Sequence, residues 1–167
     1  NGAYHIELGE GVEMLSNHYF PMHWPPMRPT LKRAMRDYYD FIVKYENLLF
    51  FNTLGDVVDG TDGARLSSPS HALGKSGQSG RLWTIVKLWR DEFDTISLIN
   101  LHGNDEEWRN RSARPPAQEN IALKYYVDKK VQKIYVATPD DGRGRAQELP
   151  FTEGLDAGGA YVEVTVP

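Results

Sequence analysis

The chain has 167 residues, with 19 Lys+Arg against 23 Asp+Glu, a formal charge of −4 and 40% hydrophobic residues. That length suits one ordinary domain, or a small one with part of another, and the composition excludes a disordered tail. The acidic balance argues against a nucleic-acid partner. The lack of any apolar run near roughly 18 residues argues against a membrane span, and the absence of cysteine excludes disulfides and thiolate chemistry.

In chain order, residues 3–8 alternate, with Tyr4, Ile6 and Leu8 on one face and His5 and Glu7 on the other, which predicts a short strand. Gly9 and Gly11 allow a sharp exit. Four prolines and Trp24 follow before Thr30, so an ordered but irregular loop is expected. From Thr30 to Phe51, apolar residues recur at three- and four-residue steps, including Leu31, Met35, Tyr38, Phe41, Ile42 and Tyr45. This is a helix with one buried stripe. At about 1.5 Å per residue it would run roughly 33 Å, too long to be covered by one six-residue strand. Its partners are expected outside this sequence.

Residues 55–80 turn to Gly, Ser and Asp and read as a linker with one short strand near Asp56 to Val58. After it the period switches to two. Strands are expected at 82–90, 95–101, 120–127, 133–138, 146–152 and 161–166, with a hairpin across Asp91 to Asp94 and turns at Asp140 to Gly142 and Ala157 to Gly159. Six short strands at this spacing predict an antiparallel β-sandwich over 81–167. A lone strand–helix unit at 1–54 leaves its strand uncovered. It reads as the last unit of a larger α/β fold, and the Asn at position 1 also suits a piece of something longer. The expected fold class is therefore an α+β fragment, the last strand-loop-helix unit of a (β/α)₈ barrel followed by a sandwich.

His5, Glu7, Glu10 and Glu13 cluster around the end of the first strand, where residues of a parallel barrel face substrate. Carboxylates there could hold sugar hydroxyls or move protons; the competing reading is solvated loop charge or a hydrogen-bonded interior residue. His18 and His23 lack a third ligand at fixed spacing, so no zinc site is expected. Asp56, Asp59 and Asp62 recur every third residue, where a calcium loop needs alternate positions. Gly74-Lys75-Ser76 ends like a phosphate loop, but Pro69 stands where its first glycine belongs. No metal or cofactor is expected. Trp108, in a polar loop, is the best exposed-aromatic candidate.

Gly2-Ala-Tyr-His-Ile-Glu-Leu-Gly-Glu10, Met14-Leu-Ser-Asn-His-Tyr-Phe-Pro21 and the helix from Ala34 through Leu49 resemble the closing barrel segment of glycoside hydrolase family 66, which contains dextranases and cycloisomaltooligosaccharide glucanotransferases. Ile99 to Leu101, Trp108 to Asn110, Lys133 to Ala137 and Tyr161 to Glu163 resemble that family's following sandwich. The resemblance implies an enzyme that cleaves or transfers α-1,6-linked glucan with retention, secreted to reach its polymer. It also implies that both catalytic carboxylates lie upstream, so none is assigned here and the isolated chain is expected to be inactive. His5, Glu7, Glu10, Asn17 and Tyr19 are the candidates for bordering the cleft. The expected partners are α-glucan and the remainder of the barrel. The rival reading is a non-catalytic carbohydrate-binding or structural sandwich module.

Overall fold

The computed structural model describes residues 26–50, 53–55, 65–89, 92–103, 115–140 and 144–167. The expected strand at 3–8, the proline loop before residue 26 and the short strand at 56–58 lie outside them. The described residues fall into two compact units, one within 1–51 plus 137–146, the other within 52–136 plus 147–167.

The first unit is helical. Helix α1 runs Pro29–Lys44 and a short α2 runs Glu46–Phe50. Pro29 opens α1 because its missing N–H would have had no helical partner at that position. The predicted single helix instead breaks at Tyr45, whose φ of −110° and ψ of 19° leave the helical region. No glycine or proline causes this. The Tyr45 hydroxyl donates to the Gly144 carbonyl at 2.8 Å and Lys44 Nζ donates to the same oxygen at 2.9 Å, so a long-range anchor fixes the residue where the break occurs. Gly144 has a φ of +53°, a conformation that suits glycine. Further along the same unit, the Tyr38 hydroxyl donates to Asp140 Oδ1 at 2.6 Å. Burial first, then the Asp140 carboxylate, pushes the Tyr38 phenol up to about 12. The expected apolar stripe is present, yet α1 buries none of its residues.

The second unit is sheet. Its strands are β1 (Thr53–Gly55), β2 (Leu66–Ser67), β3 (Leu73–Gly74), β4 (Leu82–Trp89), β5 (Phe93–Asn100), β6 (Ile121–Tyr126), β7 (Ile134–Val136), β8 (Gln147–Leu149), β9 (Phe151–Asp156) and β10 (Gly159–Val166). In one sheet β4 pairs antiparallel with β5 along its whole length. The other edge of β4 is shared, with β3 parallel at Leu82 and Trp83 and β1 antiparallel from Val86 to Leu88. The second sheet has the order β2-β6-β10-β9, all antiparallel. β7 and β8 form a separate pair.

One core takes side chains from both four-stranded sheets: Leu73, Leu82 and Val86 from the first, and Leu66, Ile121, Leu123, Tyr125 and Val162 from the second. Leu66 is 0% exposed and Leu73 4%. Both lie in the stretch whose composition suggested a joint. Serine explains the disagreement. The Ser68 hydroxyl donates to the Ala122 carbonyl at 2.6 Å, and the Ser70 hydroxyl accepts from the Ala122 N–H at 3.0 Å. Side chains thus extend the β2–β6 ladder where the backbone pairing stops, and a polar stretch becomes ordered structure.

The expected strand at 146–152 is two strands. Pro150 has no N–H for a ladder, and there the chain changes partner, from β7 to β10. The expected Ala157–Gly159 turn is present: Asp156 Oδ1 accepts from the Gly158 N–H at 2.8 Å, and Gly159 has a φ of +119°.

Candidate functional site

Every residue singled out for the substrate cleft (His5, Glu7, Glu10, Asn17 and Tyr19) lies outside the described residues, as do His18, His23 and Trp108. Among the described residues no group of three His, Asp or Glu side chains could hold a metal, and no helix is long and apolar enough to cross a membrane. What can be built from side chains lies in the sheet unit, around the end of the β9–β10 hairpin and the segment after β6.

Three features converge there. The first is a polar link between the sheets. Asp94 on β5 accepts from the Tyr125 hydroxyl on β6 at 2.9 Å and from Lys129 Nζ at 2.9 Å. Burial, followed by the negative charge of Asp94, pushes the Tyr125 phenol well above its ordinary value, so it stays a donor. Arg65, whose charge also acts on Tyr125, pairs with Asp128. Lys129 and Asp128 are thereby both committed, and the chain after β6 is pinned.

The second is a stack on the second sheet. Gly154 sits opposite Tyr161 across the β9–β10 ladder, and the ring occupies the space a side chain would need, with Tyr161 Cζ 2.3 Å from the position of an added Cβ. Lys124 Nζ stands 3.8 Å from the Tyr161 ring centroid, within cation–π range, and donates to Asp156 at 2.5 Å. The Tyr126 hydroxyl donates to the same carboxylate oxygen at 3.0 Å. Asp156 is held below the usual carboxylate range by Lys124 first and the Gly158 N–H second; Lys124 is correspondingly raised, chiefly by Asp156.

The third is an open groove of about 350 Å³ between the 127–131 segment and the β9–β10 hairpin. Val127, Val131, Ala160 and Val162 supply aliphatic walls, and Lys130 and Glu153 stand at it as well. Neither of these two has a hydrogen-bond or ion-pair partner among the described residues. Sequence reasoning missed the groove because it assembles from segments about 30 residues apart, and its valines and alanine carry no chemical signature.

The family model for glycosyl hydrolase family 66 matches residues 1–167. The chain belongs to that family. A cycloisomaltooligosaccharide glucanotransferase of Niallia circulans is 42% identical over 170 aligned positions, covering 100% of this chain and 17% of the relative. A dextranase of Streptococcus salivarius is 25% identical over 162 positions, covering 84% of this chain and 19% of its own length. Among solved structures, a Paenibacillus sp. cycloisomaltooligosaccharide glucanotransferase complexed with cycloisomaltoheptaose superposes with a TM-score of 0.82 at 38% identity, over 99% of this chain and 24% of that one. This family 66 chain therefore spans about a sixth of the length of the curated relatives it matches, and its sheet-rich α+β fold matches part of a family 66 enzyme structure.

Proposed function

We propose that the chain is the C-terminal part of a retaining family 66 enzyme acting on α-1,6-linked glucan, with residues 1–54 as the last unit of a (β/α)₈ barrel and the sheet unit that follows, its core including Leu66 and Leu73, as a supporting β-sandwich. The observation that carries this reading is the family match over the whole chain. The amphipathic α1, whose stripe is only half-covered, supports it, since such a stripe suits neighbouring barrel elements. In a retaining glycosidase two carboxyl groups about 5 Å apart form and break a covalent glycosyl-enzyme. Both belong to earlier barrel strands in this reading. His5, Glu7, Glu10, Asn17 and Tyr19 border the cleft and act on binding, not bond cleavage. A polymeric substrate suits secretion.

Between the family's two activities, the 42% identity to a glucanotransferase against 25% to a dextranase favours the cyclising transferase. A chimera tests this: this chain replaces the matching segment of the Niallia circulans enzyme, and cyclic products from dextran are measured. Cyclisation within about tenfold of the parent is expected, whereas a folded chimera that no longer cyclises overturns the assignment. The 167-residue chain incubated alone with dextran is expected to release no reducing ends above background.

A further inference from the structure

We propose that the groove between the 127–131 segment and the β9–β10 hairpin is a glucan-binding site, taking a short stretch of a neutral α-linked glucan chain. The α-1,6 linkage rests on the function proposed above; the groove itself stands on geometry.

A pyranose offers an apolar C–H face and a rim of hydroxyls, and the groove presents the complement of each. Val127, Val131 and Ala160 give aliphatic surface for the C–H face, with the buried Val162 beneath them, and burial there contributes about 25 cal/mol per Å². Glu153 can accept from hydroxyl groups and Lys130 can donate to hydroxyl or ring oxygens. Because neither is engaged elsewhere among the described residues, no ion pair must be broken to bind sugar. One positive and one negative free side chain leave the rim without net charge. That favours an uncharged polyhydroxylated ligand over an anion or a cation. The volume of about 350 Å³ falls at the small end of the roughly 300–1,000 Å³ of ligand sites.

The walls are set before any ligand arrives. The partly buried Lys129–Asp94 pair holds the residue before Lys130. Tyr161 is fixed between Gly154 and Lys124. Its ring lies on the face of β10 opposite Ala160 and Val162, so it steadies the hairpin and offers no stacking platform in the groove. A preformed groove loses little side-chain freedom on binding.

The test titrates the 167-residue chain with isomaltohexaose, and separately with maltohexaose, following backbone amide shifts and binding heat. Saturable binding of isomaltohexaose is expected, with shifts at 127–131 and 153–162. Glu153→Gln and Lys130→Ala, both at exposed positions, are expected to weaken it about tenfold each with unchanged melting temperature. If either variant melts early, Ala160→Trp, which fills the groove from an exposed position, gives the same reading. No binding, or binding unaffected by these variants, overturns the proposal. Equal affinity for maltohexaose overturns the α-1,6 assignment. A chimera that cyclises while the groove binds nothing sinks only the groove; a groove that binds while the chimera fails sinks only the transferase.

Discussion

The helical unit and the sheet unit make opposite use of apolar sequence. Helix α1 repeats leucine, methionine and aromatics along one side but fully buries none of them; Leu31, Met35, Phe41 and Ile42 stay half-buried. The sheet unit places Leu66, Leu82 and Val162 at 3% exposure or less. A stripe in the sequence therefore states a demand for partners, and only coordinates tell whether the demand is met locally. In the sheet unit it is met in full; along α1 it is met only in part.

Substitutions can break or sharpen this contrast. Leu82→Ala, in the core shared by both sheets, is expected to cost about 2–5 kcal/mol in urea unfolding of the chain, through lost burial plus a cavity. A loss under about 1 kcal/mol would mean that the core does not carry the unit. Next is Gly154→Ala, whose Cβ collides with the Tyr161 ring. Overpacking of this kind costs about 1–3 kcal/mol, and Tyr161→Ala in the same chain is expected to recover part of it.

Tyr125→Phe removes one donor from Asp94 while Lys129 remains, an expected loss of about 1 kcal/mol at neutral pH. The sign of its pH dependence follows from a phenol raised above its ordinary 10.0. Stability is level below pH 10 and falls as pH rises through the folded-state value. Denaturant midpoints measured upward from pH 9 are expected to fall less steeply in Tyr125→Phe. For Asp156, held below its ordinary 3.8, the sign reverses, and its contribution disappears as pH falls below about 4. Asp156→Asn is expected to flatten that acid limb. Smallest of all, Val43→Ala on α1 is expected to stay within about 0.5 kcal/mol in this chain. A larger loss in urea unfolding would mean that the exposed, polar side of α1, where Val43 stands, is packed against something inside the sequence.

Legibility followed the length of the pattern. Periods of 3.6 and 2 extended over enough residues to reveal α1, β4, β5, β6 and β10. β2 and β3 have two residues each, too few for a period, and depend on serine hydroxyls that also suit a loop. Pro150 should have split its strand, because a proline within a run removes a ladder donor; the alternation on either side hid it. Of the candidate site, Lys130 and Glu153 look like any solvated charges in the sequence. What sets them apart is the lack of a partner, and that is a property of space.

The order β2-β6-β10-β9 has a further consequence for biosynthesis. β10 fills the middle of its sheet, so β6, translated about 30 residues earlier, has one edge without its neighbour until residues 159–166 leave the ribosome. During that interval a bare strand edge is open to other nascent chains. A stop codon just ahead of Gly159 would remove the strand that joins β9 to β6, so even a short truncation would disconnect the sheet at its centre.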